Sequence, residues 1–175
     1  MPRGLQRRER DPAEVVKAMK IRQVNNMTQQ RRQAVSHSVI QKGLVAAGII
    51  NIGGVLLFSK GFSNDALTQA DPVLFSTFGL LSIILWGAAY LAVSGSYRQV
   101  PWIMAVFAVE KLLYTLAWSH WMVNFSHDLP ALYQQDWLAG AFFSIYGLND
   151  ALFMLLFFYA FIKTRHSDVR PSQIT

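Results

Sequence analysis

Apolar residues in this chain gather into four long blocks, at about 39–59, 72–93, 101–123 and 138–162, separated by short polar stretches. Each block runs for roughly 21 to 25 residues. A helix rising about 1.5 Å per residue needs about 20 residues to cross the hydrocarbon core of a bilayer. Strict alternation of apolar and polar positions, the mark of a membrane barrel, is absent. The pattern predicts an all-α membrane protein with four transmembrane helices, a basic and partly helical segment over 1–36, a transmembrane domain over 37–163 and a short tail over 164–175. The first block starts too late for a cleavable leader and reads as a retained signal anchor.

The connections repeat. Phe62-Ser63-Asn64-Asp65, then Ala66-Leu67-Thr68-Gln69-Ala70-Asp71, then Phe75-Ser76-Thr77-Phe78-Gly79-Leu80 match, in order, three later runs. Those are Phe125-Ser126-His127-Asp128, Ala131-Leu132-Tyr133-Gln134-Gln135-Asp136 and Phe143-Ser144-Ile145-Tyr146-Gly147-Leu148. Three matches in series point to duplication of a two-helix hairpin. Two tandem hairpins of the same orientation are related by a pseudo-twofold axis along the membrane normal. Asp71 and Asp136 are expected to cap the second and fourth spans, and Asp65 and Asp128 a short turn in each connection. The alternative for these acids is a cation site of Asp65, Asp128 and His127.

Charge sets direction. Arg3, Arg7, Arg8, Arg10, Lys17, Lys20, Arg22, Arg31 and Arg32 precede the first block, Arg98 lies between the second and third, and Lys163, Arg165 and Arg170 follow the fourth. The other two connections hold only Lys60 among several aspartates. By the positive-inside rule both termini are cytoplasmic, as in a bacterial inner-membrane protein. Trp102 and Trp137 stand at block ends, where interfacial anchors belong. The net charge of +6, concentrated beside the first block, suits anionic lipid rather than nucleic acid. Asp11-Pro12-Ala13-Glu14 carries a helix-start signal, and a helix from about Pro12 towards Arg31 is expected. Its apolar residues are spread around the helical wheel, which reads as a solvated basic helix or a partner-binding arm.

The candidate chemistry lies at mid-depth. Asn51, Glu110, Lys111, Asn149 and Asp150 fall near the centres of three blocks. One charged residue at the centre of a membrane helix costs roughly 2.5–3.5 kcal/mol on insertion scales, so these side chains should point inward and pair. Lys111 is expected to pair with Asp150, and Glu110 to meet Asn51 or Tyr114. Tyr146 joins the set because it lies one turn from Asp150. Two acids and one base leave one carboxyl without a counter-charge, which is expected to be carried uncharged. Gly43, Ala47, Asn51 and Gly54 form a small-residue stripe on the first span that would let helices approach. Gly79, Ser82, Trp86 and Tyr90 form a comparable stripe on the second. The bland reading is an ion pair that fixes helix packing; the sharper one is a ligand or proton-linked site.

The chain lacks cysteine, which excludes disulfides, thiolate metal sites and cysteine catalysis. It carries no phosphate-binding glycine loop, dinucleotide fingerprint, zinc-protease helix or serine-hydrolase elbow, and no cofactor or metal is expected. The leading expectation is a membrane protein that binds or transports a lipophilic or small ligand through the polar cluster Asn51, Glu110, Lys111, Tyr114, Tyr146, Asn149 and Asp150. The alternatives are an intramembrane enzyme on a lipid-like substrate, with Glu110 and Asp150 as acid and base, and a non-catalytic membrane subunit or assembly factor. Membrane lipids, a second copy of the chain or another membrane protein are the expected partners.

Overall fold

Why the chain forms helices follows from where its breakers lie. No proline occurs between Pro12 and Pro72, and the first glycine after residue 12 is Gly43. Accordingly, in the computed structural model, which describes residues 12–165, helix α1 runs without interruption over Pro12–Phe58. The helix expected from about Pro12 towards Arg31 runs on into the first apolar block, because no proline or glycine between them stops helix propagation. The expected Asp11 cap lies outside the described residues. The chain divides into two compact units, Met1–Val39 and Ile40–Thr175. In the first, the described apolar side chains Val16, Met19, Ile21, Val24, Met27 and Val35 are all exposed.

The remaining helices are α2 (Asp65–Ala70), α3 (Thr77–Val93), α4 (Pro101–Phe125), α5 (Leu129–Gln135) and α6 (Trp137–Arg165), with 3-10 turns at Tyr97–Gln99 and Ser126–Asp128. No strand occurs among the described residues. Three helical stretches, Met19–Phe58, Pro101–Gln135 and Trp137–Arg165, are long and apolar enough to cross a membrane. They suggest a multi-pass membrane protein.

Helix α3 is shorter than the expected 72–93. It begins at Thr77, and its cap is Ser76, whose Oγ accepts the Gly79 N–H at 3.1 Å. Asp71 spends its carboxylate one step earlier, on the N–H groups of Val73 and Leu74 at 3.1 and 2.9 Å. It therefore closes a turn and does not cap α3. Asp136 does cap α6, accepting the Ala139 N–H at 2.9 Å. In the first connection the cap of α2 is Asn64, which accepts from Leu67, and not Asp65. Asp128 precedes α5 without a capping bond. Among the described residues no three histidine or acidic side chains cluster to hold a metal ion, so Asp65, Asp128 and His127 do not converge.

Within the second unit the packing forms two apolar layers. Ile40, Leu44 and Ala47 of α1 share one core with Tyr90 of α3, Met104 and Phe107 of α4, and Phe157, Ala160 and Phe161 of α6. Val55, Ala66, Leu67, Phe75, Leu80, Trp121, Leu132, Phe143 and Tyr146 make the other. The buried stripe on α1 is Ile40, Leu44, Ala47, Asn51 and Val55, at three- and four-residue spacing.

Helices α1 and α3 approach closely at Gly48 and Gly87. A Cβ on either would lie within about 3 Å of the other's carbonyl oxygen, at 2.8 and 3.0 Å. The expected small-residue stripe is therefore half right. Gly43 receives Leu156 of α6, whereas Gly54 faces open space. On α3 the buried positions are Leu80, Gly87 and Tyr90. Ser82 returns its hydroxyl to the Phe78 carbonyl at 2.9 Å.

Beyond the end of α1 and Ser59 come three successive left-handed residues, Lys60, Gly61 and Phe62, with φ of 51°, 64° and 73°. Such values are uncommon outside glycine. The bend is held from several sides. Ser59 Oγ accepts the Phe62 N–H at 3.0 Å, and the Asn64 amide donates to the Phe58 carbonyl at 2.8 Å and to Asp136 Oδ1 at 3.0 Å. Lys60 forms an ion pair with the same aspartate. The Lys60 hydrogen bond holds the Asp136 carboxyl below its ordinary value. A depressed carboxylate stabilises the fold fully above the ordinary aspartate value of about 4 and loses that contribution as pH falls through the lower folded value. Asp136→Asn keeps a capping side chain and removes only the charge. It is expected to lower stability at neutral pH by about 1 kcal/mol or less, since Lys60 is half exposed. Thermal melts of both proteins should converge in strong acid.

Candidate functional site

Between the two apolar layers lies one polar layer, to which α1 and α6 each contribute one buried polar residue and α4 contributes two adjacent ones. Asn51 of α1 sits between Ala47 and Val55, Asp150 of α6 between Tyr146 and Phe157, and Glu110 with Lys111 on α4 between Ala108 and Trp121. All four polar side chains are buried, Lys111 to 2% residual exposure. A fully buried ammonium ion persists only with its donors satisfied.

Lys111 places two of its three N–H donors on neighbouring side chains. Its Nζ donates to Asp150 Oδ1 at 2.6 Å and to Asn51 Oδ1 at 3.0 Å. Asn51 in turn donates its amide to the Ile83 carbonyl of α3 at 3.3 Å. One lysine thus ties α4 to α6 directly and to α3 through α1. The Asn149 amide donates to Asp150 Oδ1 at 3.3 Å, and the rings of Tyr90 and Tyr114 lie 5.7 and 5.9 Å from the ammonium nitrogen, within range of a cation–π attraction.

Glu110 is held differently from the expectation. It meets neither Asn51, which Lys111 takes, nor Tyr114. Its Oε2 accepts a hydrogen bond from the hydroxyl of Tyr90 on α3. Its Oε1 lies 4.0 Å from Lys111 Nζ, too far for a hydrogen bond, and has no hydrogen-bonding partner among the described residues. The Tyr146 hydroxyl is likewise buried without a partner. Buried polar atoms of this kind are few in folded proteins and call for an explanation.

The seven residues singled out from the sequence, Asn51, Glu110, Lys111, Tyr114, Tyr146, Asn149 and Asp150, all border one cavity of about 120 Å³. Its remaining wall is apolar, from Ile50, Gly54, Val55 and Phe58 of α1, Phe75 and Ile83, and Phe142 and Ile145 of α6. Tyr90 escaped the sequence reading as a site residue, although it was placed on an α3 stripe. The signal available was a tyrosine one turn beyond Trp86 in a span otherwise short of hydrogen-bonding groups.

Above this layer, on the side of the short helices, Trp118 lies flat on Gly147. A Cβ there would fall 2.0 Å from the indole, whose N–H donates to the Phe143 carbonyl at 2.7 Å. This contact joins α4 to α6 directly beside the cavity. No family profile, curated protein or solved structure matches this chain.

Proposed function

We propose that this is a small integral membrane protein that binds or transports a lipophilic or small ligand in the cavity of the polar layer. The observation that carries the reading is the pair of buried, unpartnered oxygens, Glu110 Oε1 and the Tyr146 hydroxyl, on residues lining a mostly apolar cavity. A polar layer serving only to fix helix packing would be expected to satisfy its own members, whereas a ligand-binding one leaves groups for the ligand.

The chain would cross the membrane four times, as two tandem hairpins with a pseudo-twofold axis along the membrane normal. Helix α3 spans roughly 25 Å at the helical rise, close to the hydrocarbon thickness of about 30 Å, and the capped turn before it extends its reach. The duplication draws support from several positions. The short helices α2 and α5 occupy matching places, and each is followed by an extended aspartate, Asp71 or Asp136. Phe75 and Phe143, also matching, are both fully buried and meet edge-on at 5.4 Å. The basic residues favour cytoplasmic termini in a bacterial inner membrane. The exposed Lys17, Lys20, Arg22, Arg31 and Arg32 suit anionic lipid.

Native mass spectrometry of the protein extracted from membranes tests the binding reading. A retained small-molecule adduct is expected on the native chain. Its occupancy should fall in Asn149→Leu, a half-buried cavity residue whose amide bonds Asp150 alone among the described residues, while the melting temperature stays close to native. A bare chain in every mild detergent would overturn the reading.

A further inference from the structure

The cavity has a side entrance, and its chemistry selects what can use it. Helices α1 and α6 touch at two levels. Gly43 fits against Leu156, where a Cβ would lie 2.3 Å from the leucine methyl, and Phe58 packs on Phe142 with ring centroids 5.3 Å apart. Between those contacts the α1 wall is open at Gly54. A Cβ at Gly54 would meet no described atom within 4 Å, and the facing cavity residues Ile50 and Ile145 are 44% and 52% exposed. The result is a window between α1 and α6, bounded at both ends by side-chain contacts and framed by isoleucines, at the level of the polar layer.

We infer that this window admits an uncharged amphiphile with a hydroxyl-bearing head directly from the acyl-chain region, the head lodging against Glu110 and Tyr146 and the apolar body remaining in the window. This rests on the binding reading above and deepens it. The head chemistry follows from the neighbours of the free oxygen. Lys111 Nζ already lies 4.0 Å from Glu110 Oε1, so a cationic head at that oxygen would face an ammonium ion. An anionic head would face Glu110 itself and Asp150. A hydroxyl is donor and acceptor at once, so it matches both the acceptor at Glu110 Oε1 and the donor at the Tyr146 O–H with no added charge. The walls, isoleucine, valine and phenylalanine, match an aliphatic or ring-bearing body.

The test is photolabelling of the full chain in phosphatidylcholine vesicles with three diazirine-bearing C16 probes: an alcohol, a primary amine and a carboxylic acid. The alcohol is expected to label residues around Ile50, Gly54 and Ile145, and unlabelled hexadecanol should compete where hexadecane does not. Gly54→Leu fills the window with no clash at its Cβ, so the protein should fold normally while labelling falls about tenfold or more. Gly53→Leu serves as the control, because Gly53 is exposed, outside the cavity lining, and equally free of neighbours. It should label as the native chain does. Glu110→Gln combined with Tyr146→Phe should lose the preference for the alcohol over the hydrocarbon. Labelling of the cavity by the amine or the acid in preference to the alcohol overturns the head assignment and leaves the binding reading standing. Undiminished labelling in Gly54→Leu overturns the window. Failure of all three probes to label the cavity, together with a bare chain in native mass spectrometry, overturns both.

Discussion

Lys111→Met is expected to destabilise the folded chain by about 3–5 kcal/mol, the usual loss when one member of a buried ion pair is removed and the other stays charged. The geometry says why the effect should be at the upper end of single substitutions. Among the described residues Lys111 Nζ is the only hydrogen-bond partner of Asp150 besides the amide of Asn149, and it also holds Asn51. Without it, a 7% exposed carboxylate faces apolar walls, and the carbonyl end of Asn51 loses its donor. Asp150→Asn in the Lys111→Met background removes the stranded charge and should recover the larger part of the loss. Reversible unfolding of the four proteins in mixed micelles, read as a double-mutant cycle, checks this. A cycle that closes with additive single losses would mean that the two residues do not meet.

The second large effect is expected at Tyr90. Its hydroxyl makes the one side-chain hydrogen bond to Glu110 among the described residues, so Tyr90→Phe leaves both carboxyl oxygens buried and unpartnered there. The expected loss is about 1–3 kcal/mol, the desolvation penalty of an unsatisfied buried acceptor. The ring itself stays in place among Phe107 and Phe157, at 4.7 and 5.0 Å, so packing is unchanged and the loss belongs to the hydroxyl. Tyr90→Phe with Glu110→Leu removes donor and acceptor together and should sit closer to the native stability than Tyr90→Phe alone. The same melts, run on these variants, decide it. Equal stability of Tyr90→Phe and the native protein would show that Glu110 is satisfied from elsewhere.

How far these contacts could be read in advance depended on which physical constraint acted. A charge placed at the centre of an apolar helix has so few places to go that Lys111 and Asp150, on the two longest uninterrupted apolar stretches after α1, were legible as partners. The same penalty gathered all seven polar candidates around one cavity. What was not legible was rotation. The side of α3 that faces its neighbours is set by the Gly48–Gly87 approach and by the start of the helix at Ser76, and neither is encoded in the spacing of Gly79, Ser82, Trp86 and Tyr90. Setting the buried face on Leu80, Gly87 and Tyr90 turned Ser82 back on its own helix and delivered Tyr90 to Glu110. Helix ends were misread for a related reason. Asp71 carries the same capping chemistry as Ser76, and the choice between them lies in the turn over 71–76, where Asp71 is already committed to Val73 and Leu74. Helix α1, by contrast, runs on past Arg31 because no glycine or proline stands between Arg31 and the first apolar block.

Gly147, beside the cavity, and Gly54, in its wall, have opposite tolerances. Gly147 is occupied by the Trp118 indole and admits no added atom, whereas Gly54 has room. The former holds the helices together beside the cavity and the latter keeps its side open.

The central claim is that the forbidden charges of α4 and α6 find each other inside the protein. Magic-angle-spinning NMR of the chain in lipid bilayers, with lysine labelled at 15Nζ and aspartate at 13Cγ, measures it directly. Lys60→Gln should be used as the background, since Lys60 also pairs with an aspartate. A lysine signal strongly dephased by an aspartate carboxyl, and restored in Asp150→Asn, is the predicted result. A Lys111 nitrogen that feels no aspartate carbon in the bilayer would contradict the account.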